Sequence, residues 1–193
     1  RKAAEYISKR FKEMGLKGIF NGDNAYYQFF DKTQRFNPHD LAPNPNDKVI
    51  TGRNVGAFLD NGSDHTIIIG AHYDHLGYGA EGSLYVGPPA IHNGADDNAS
   101  GIASMLALAK YFKSKPLKSN VLFLGFSGEE KGLWGSEYFT DNPLIDLKQL
   151  VSMTNMDMIG SNFQPERVYV VGSDRISQEL HNINEAVNTA LDS

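Results

Sequence analysis

Histidine and carboxylate side chains gather at four points of the sequence, and three of these points directly follow apolar runs. The runs are 66–70, 121–126 and, more weakly, 150–156, and their composition is typical of strands buried on both faces. The fourth group precedes an amphipathic helix. Because ligands bind outside the carboxyl ends of the strands in a parallel sheet, we expect all four groups at one edge. The side chains concerned are His72, Asp74, Asp96, Asp97, Glu129, Glu130 and Asp157.

Six carboxylates in one region would repel one another and raise each other's pKa values, and one or two divalent cations would relieve that repulsion. The sequence has no cysteine, so the donors are nitrogen and oxygen, which suits zinc, with manganese or cobalt as substitutes. Taken singly, Asp97 or Asn98 could be a helix N-cap, and Glu129 and Glu130 could be first-turn acids. Those roles do not explain why every strand end carries such a side chain. The sequence therefore predicts a metal site.

The composition excludes several other classes of function. The chain has 193 residues with 18 Lys and Arg against 23 Asp and Glu, a formal net charge of −5, which argues against a nucleic-acid or anionic-membrane partner. No apolar run reaches the roughly 18 residues of a transmembrane helix. The absence of cysteine excludes a disulfide framework and a thiolate nucleophile.

The elements that must position these residues alternate between strands and helices. This alternation predicts an α/β fold, a three-layer α/β/α sandwich around a central, largely parallel (mixed) sheet. A segment rich in proline and asparagine, 37–47, is predicted to be a surface loop. The predicted strands are 25–30, 54–59, 66–70, 121–126, 150–156 and 167–172, and the predicted helices are 3–16, 99–112, one around 134–139 and one over 176–191.

Four motifs resemble those of a known family. AHYDHLG (71–77), GADDNASG (94–101), FSGEEKGLWGSEYF (126–139) and NMDMIG (155–160) are similar in order and spacing to the co-catalytic zinc aminopeptidases of the bacterial leucyl aminopeptidase and aminopeptidase Y type. The resemblance implies a zinc-exopeptidase fold and a metallo-aminopeptidase that acts on peptides with a free N-terminus. It also implies a secreted or periplasmic location.

The resemblance further implies a ligand set for two zinc ions. His72 and Asp157 would bind one ion, Asp96 would bridge both, and Glu130 would bind the other. The family also carries a cis peptide bond in its ADD motif, which maps here to Asp96–Asp97.

Two more roles follow from the resemblance. Glu129 would be the general base that takes a proton from the metal-activated water. Asp74 would orient the ring of His72, as carboxylates commonly do for ligating histidines.

One ligand of the family pattern has no evident counterpart. In the family, the second zinc needs a further histidine on a later loop. The only histidine after Asp157 in this sequence is His181. It lies off the apolar stripe of the last helix, so we expect it to face solvent. We therefore expect residues 1–193 to be a single catalytic domain that lacks its C-terminal portion. On this view the second zinc site misses one ligand, and activity is expected of the parent enzyme rather than of the fragment itself. His75 and His92 are expected at the rim of the site.

Three alternatives stay open. A glutaminyl-peptide cyclotransferase of the same fold uses a single zinc, but its pattern normally lacks the second acidic residue of the ADD and GEE motifs, and both are present here. A carboxypeptidase or another amide hydrolase would use a similar site. A non-catalytic peptide-binding homologue would have lost a ligand or the base, whereas the motif positions named above are intact.

Overall fold

The structure is a computed structural model that describes residues 1–21, 24–36, 39, 41–79, 82–115, 117–161 and 169–191. The chain divides into two compact units, Arg1–Gly160 and Ser161–Ser193. The first unit contains α1 (Lys2–Glu13), β1 (Tyr27–Gln34), β2 (Lys48–Leu59), β3 (Thr66–His72), a π-helical turn (Ala95–Ser100), α2 (Gly101–Ser114), β4 (Asn120–Phe126), α3 (Trp134–Asp141), a 3-10 turn (Leu147–Gln149) and β5 (Leu150–Asn155).

The five strands form one mixed sheet in the order β1-β2-β4-β3-β5. β3 pairs in parallel with β4 on one side and with β5 on the other. β2 is antiparallel to β4, and β1 is antiparallel to β2. The carboxyl ends of β3, β4 and β5 therefore lie side by side at one edge, as the sequence predicted.

Helices cover both faces of this sheet. Alternate residues of β4 point to opposite faces, so that Val121 and Phe123 pack with α1 and α2, while Leu122 and Leu124 pack with α3. Every residue of β4 is buried, which is why its apolar run shows no alternation. The layers confirm the predicted three-layer α/β/α sandwich.

The amphipathic stripe of α2 fixes that helix on the sheet. Ile102, Met105, Leu106 and Ala109 recur at helical spacing and all are buried. Because α2 begins at Gly101, directly after the turn of the ADD motif, the same packing also holds this turn at the sheet edge.

The β1–β2 hairpin is longer than its sequence indicates. The apolar patterns predicted strands at 25–30 and 54–59, but β1 continues to Gln34 and β2 starts at Lys48, with these two residues paired. The added halves are mostly exposed, so backbone pairing rather than apolar burial defines them. Of the predicted loop at 37–47, the described residues carry no helix or strand.

The second unit contains α4 (Ser173–Ile176) and α5 (Gln178–Leu191). The final helix is thus confirmed, although the apolar side chains of its stripe are exposed, Ile183 by 51% and Leu191 by 80%. For the strand predicted at 167–172, residues 167 and 168 lie outside the described part, and 169–172 form no strand. Among the helices that the structure describes, none is long and apolar enough to cross a bilayer.

Candidate metal centre

His72 is the most buried of the side chains that the sequence predicted as metal ligands. It is the last residue of β3, and its side chain is only 3% exposed. Its Nε2 atom lies 3.0 Å from Oδ1 of Asp97 and 3.5 Å from Oδ1 of Asp157. Donor atoms about 2.1 Å from a tetrahedral zinc lie roughly 3.4 Å from one another, so these three atoms have the spacing of a ligand set.

The other ring nitrogen of His72 fixes its orientation. Nδ1 lies 3.2 Å from the backbone carbonyl of Asp74 and 3.7 Å from its Oδ1 atom. A proton on Nδ1 that is donated to this carbonyl leaves the Nε2 lone pair directed at Asp97 and Asp157. Asp74 thus lies beside Nδ1 of His72, with its backbone carbonyl making the shorter contact, and its role in orienting the ring stays a prediction.

The charge around His72 calls for a cation. Burial lowers the pKa of the imidazole, but the hydrogen bond to Asp74 and the negative charges of Asp157 and its neighbours outweigh burial and raise the pKa to about 9. The surrounding carboxylates thus stabilise a positive charge at this position, whether a proton or a metal ion carries it.

A second group of donors lies next to the first. Nδ1 of His75 is 2.7 Å from Oε1 of Glu130 and 3.8 Å from Oδ2 of Asp97. Asp97 therefore turns one carboxylate oxygen toward each histidine, Oδ1 to His72 and Oδ2 to His75. This is the arrangement of a carboxylate that bridges two cations.

Asp96, which was expected to be this bridge, lies in neither group. Its Oδ1 accepts the backbone N–H of Gly160 at 2.7 Å, and its backbone carbonyl accepts the hydroxyl of Ser100 at 2.7 Å. The cis peptide bond joins Asp97 to Asn98, so the prediction of a cis bond at Asp96–Asp97 is wrong by one residue. Consecutive residues of this turn point in different directions, and residue type alone does not distinguish two adjacent aspartates.

Asn98 connects the ADD turn to the segment after β5. It is 2% exposed, and its Nδ2 donates to the carbonyl of Met156 at 2.9 Å. Its Oδ1 accepts the backbone N–H of Gly101 at 3.1 Å and that of Met158 at 3.3 Å. The side chain thereby holds Asp97 close to Asp157. From the sequence, Asn98 was a candidate helix N-cap, and its contact with the N–H of Gly101 is of that kind.

Asp74 organises the turn that follows β4. Its Oδ1 accepts the N–H of Glu129 and its Oδ2 accepts the N–H of Glu130, at 3.1 and 3.3 Å. Burial raises the pKa of Asp74, but its hydrogen bond with His72 and the one from Glu129 outweigh burial and lower the pKa. The carboxylate is therefore ionised and able to accept both amides.

Glu129 lies at the open side of the site. Its Oε2 atom is 4.0 Å from Nε2 of His72, and its side chain is 34% exposed. Burial raises the pKa of Glu129, and the charges of Glu130 and Asp157 add to this effect against the opposing charge of His72. A carboxylate with a raised pKa accepts a proton more readily at neutral pH than an ordinary one.

A cavity of about 550 Å³ adjoins Glu130. It lies between the connected end of the β1–β2 hairpin, where β1 ends and β2 begins, and the turn after β4. It is large enough for several side chains of a ligand. Its lining residues include Thr33, Arg35, Phe36, Lys48, Lys131 and Trp134.

The remaining histidines lie outside both donor groups. His92 Nε2 is 2.6 Å from the hydroxyl of Ser83, and its Nδ1 is 3.0 Å from the carbonyl of Ala90. His181, expected to face solvent, belongs to the second unit and is partly exposed. His75, by contrast, belongs to the second donor group. It was expected only at the rim of the site, and no motif in the sequence indicated its contact with Glu130.

The donor set fits a divalent cation of intermediate hardness. Imidazole nitrogens and carboxylate oxygens are the ligands that zinc accepts where thiolates are absent. Each group pairs one histidine with two carboxylates, and Asp97 belongs to both: His72, Asp97 and Asp157 form the first group, and His75, Asp97 and Glu130 form the second.

A family model and several curated proteins match this chain. The family model of peptidase family M28 matches residues 54–192. The chain is 31% identical over 137 residues to the alkaline phosphatase isozyme conversion protein of Escherichia coli K12, and 30% identical over 141 residues to a probable leucine aminopeptidase of Trichophyton verrucosum. Each match covers 70% of this chain and 37% of the relative, so the chain spans little more than a third of these curated relatives.

Solved structures show the same fold. A leucine aminopeptidase precursor from Bacteroides thetaiotaomicron superimposes with a TM-score of 0.60 at 16% identity, covering 81% of this chain and 53% of that one. A glutaminyl cyclase of the same organism superimposes equally well, with a TM-score of 0.60 at 16% identity and coverage of 81% and 52%. The fold is therefore that of the zinc exopeptidases, and it does not by itself separate peptidase from cyclase chemistry.

Proposed function

Since the chain belongs to peptidase family M28, we propose that it acts as a zinc-dependent aminopeptidase, which hydrolyses the first peptide bond of substrates with a free N-terminus. The observation that carries this proposal is the position of Asp97, whose two carboxylate oxygens face two separate histidine–carboxylate groups. A single-metal enzyme does not need such a bridge. A co-catalytic pair of ions does.

Four side chains would hold the metal. His72 and Asp157 would bind the first zinc, Glu130 would contribute to the second, and Asp97 would serve both, in the role first expected of Asp96. When bound, zinc supplies a Lewis acid for the scissile carbonyl and lowers the pKa of the attacking water. The carboxylates of the protein provide the negative charge that retains both ions.

Glu129 is the general base in this proposal. Its Oε2 is directed toward the first donor group but is too far from His72, at 4.0 Å, for a direct hydrogen bond. It takes a proton from the attacking water and later delivers it to the leaving amine, so that the side chain ends each turnover in its starting state. The backbone N–H groups of Glu129 and Glu130 both donate to Asp74, and these two hydrogen bonds hold the turn so that each glutamate can serve its own role.

A free amino terminus suits the charge of the site. A substrate α-ammonium group is positive, and the five carboxylates of the site exceed by one the four positive charges of two zinc ions. These carboxylates are Asp74, Asp97, Glu129, Glu130 and Asp157. The cavity beside Glu130 gives the rest of the peptide room next to the reacting bond. Attraction of the amino terminus and space on one side both favour the removal of terminal residues over cleavage within a chain.

The experiment that tests this proposal compares two Glu→Gln variants with fluorogenic aminoacyl amides as substrates. Glu129→Gln should bind zinc like the unmodified protein but lose about 10²- to 10⁴-fold in rate, the usual contribution of a general base. Glu137→Gln is the matched control, since Glu137 lies on α3 and pairs with Lys32 away from the site. Turnover by Glu129→Gln close to that of the unmodified protein would contradict the assignment of the base.

A further inference from the structure

We infer that Asn54 is a positioning residue for the glutamate turn, the segment 127–135 that carries Glu129 and Glu130. The inference rests on the proposed function for the tasks of these two glutamates. It adds a residue of β2 whose side chain holds both ends of the turn. Asn54 lies outside the four motifs that pointed to the site.

The side chain of Asn54 bonds to both ends of the glutamate turn. Its Oδ1 atom accepts the backbone N–H of Ser127 at 3.2 Å, and its Nδ2 atom donates to the backbone carbonyl of Gly135 at 2.8 Å. A Cβ atom added to Gly135 would lie 2.3 Å from Oδ1 of Asn54 and 2.4 Å from the carbonyl oxygen of Ser127. The two ends therefore meet closely at this one amide, and the residues between them form a closed loop.

Backbone hydrogen bonds inside the glutamate turn connect its ends to Glu129. The N–H of Trp134 donates to the carbonyl of Gly128 at 3.0 Å, and the N–H of Leu133 donates to the carbonyl of Glu129 at 3.0 Å. The N–H of Glu129 in turn donates to Asp74. Because these bonds form a continuous chain, a displacement at either end of the turn moves the backbone that carries the proposed base.

The anchor is a buried polar network whose hydrogen bonds are all made inside the protein. Asn54 is 0% exposed, and a buried amide is costly unless its polar atoms are bonded. Its Nδ2 also donates to Oε1 of Gln28 at 2.9 Å, and Nε2 of Gln28 donates to the carbonyl of Asn142 at 3.1 Å. The pair thus holds α3 near its start, at Gly135, and directly after its end. Fully satisfied networks of this kind rigidify the segments that they join.

A purely structural role in the core is the competing explanation. In that case Asn54 and Gln28 would matter only as a satisfied polar pair, and the loss of either would lower stability in the same way. Only Asn54 of this pair, however, bonds to the two ends of the glutamate turn. The two explanations therefore predict different behaviour for variants at these two positions.

The test compares Asn54→Ala with Gln28→Leu, the matched control. Gln28→Leu breaks the same buried pair but leaves the bonds of Asn54 to Ser127 and Gly135 in place. Urea unfolding gives the stability of each variant, and NMR hydrogen exchange follows the amides of the glutamate turn and of β3. Steady-state kinetics with fluorogenic aminoacyl amides separates kcat from KM. Asn54→Asp has the same size and can still accept from Ser127, so it replaces Asn54→Ala if that variant does not fold.

We expect both variants to unfold at lower urea concentration than the unmodified protein. In Asn54→Ala, the amides of the glutamate turn should exchange at least about 10-fold faster relative to those of β3, since a lost buried hydrogen bond shifts local opening by about this factor. Its kcat should fall by about 10- to 100-fold while KM changes less than about 2-fold, because misplaced catalytic groups slow the reaction step. Asn54→Asp should show the same changes to a smaller extent. In Gln28→Leu, the relative exchange of the turn and kcat should stay normal.

Equal changes of turn exchange and kcat in Asn54→Ala and Gln28→Leu would overturn the inference. Normal exchange and normal kcat in a folded variant at position 54 would overturn it as well. Absence of turnover by the unmodified protein would overturn the proposed function instead, and faster exchange of the turn in Asn54→Ala would then still support the anchor.

Discussion

The carboxylate of Asp74 accepts the backbone N–H of Glu129 at 3.1 Å, a contact that joins the segment after β3 to the turn after β4. The second oxygen of Asp74 accepts the next amide, that of Glu130, at 3.3 Å. One side chain thereby fixes two consecutive residues that have different proposed tasks. The catalytic turn depends on a residue that is itself neither the base nor a proposed ligand.

Asp74→Asn should weaken zinc binding by about 10- to 100-fold, because an amide can accept one backbone N–H but would turn its own NH₂ toward the other. Chelator competition measures this change directly. Asp64→Asn, at an exposed position of the loop before β3, is the control and should bind zinc normally. Equal affinities of the two variants would show that Asp74 does not organise the site.

Asn98→Ala should lower the free energy of unfolding by about 1–3 kcal/mol, since it removes a buried side chain that bonds Met156, Met158 and Gly101. Urea unfolding measures the loss. The same variant should weaken zinc binding, because Asp97 is no longer tied to the segment that carries Asp157. Asn46→Ala, on the exposed β1–β2 connection, should change stability by no more than about 0.5 kcal/mol. A comparable loss in both variants would argue against a special role for Asn98.

Gly101→Ala should destabilise the protein although alanine is the better helix former by about 1 kcal/mol. An added Cβ would lie 2.4 Å from the carbonyl oxygen of Met156 and 2.6 Å from Oδ1 of Asn98, so backbone would have to move. Ser104→Ala, farther along α2, should leave the melting temperature the same or slightly higher. A higher melting temperature for Gly101→Ala would show that the close approach of α2 to Met156 is not required.

Asp47 should make the stability of the β1–β2 connection depend on pH. The N–H groups of Asn44 and Phe36 donate to its carboxylate and, with Arg35, lower its pKa. A lowered folded-state pKa gives stability that is fully present above the unfolded value of about 4 and is lost as pH falls through the folded value. The melting temperatures of Asp47→Asn and the unmodified protein should therefore differ most near pH 6 and converge at strongly acidic pH. A difference that does not change with pH would contradict this.

The residues at the sheet edge could be predicted because the apolar runs that precede them are continuous segments of the sequence. Strands β3 and β4 are apolar on both faces, and a sheet that helices cover on both faces buries such runs. Once their order along the chain is known, the residues that follow them must share an edge. The positions of His72 and Asp157 next to each other were therefore predictable without coordinates.

The choice between Asp96 and Asp97 was not predictable in this way. Both are aspartates in one turn, and which of them faces the site depends on backbone dihedral angles and on the anchoring of Asn98 to Met156. His75 was missed for a related reason. Its contact with Glu130 joins residues that are 55 positions apart, and the sequence pattern contains no signal for it.

The most direct test of the central claim is mass spectrometry of a mixed set of peptides incubated with the zinc-loaded protein. Half of the peptides should have free N-termini and half should be N-acetylated. We predict stepwise loss of N-terminal residues from the free peptides, none from the acetylated ones, and none after zinc is removed with a chelator. Loss of ammonia from peptides that begin with glutamine, without shortening of the others, would contradict the account and indicate a cyclase. Unchanged masses throughout would contradict an enzymatic role for the chain.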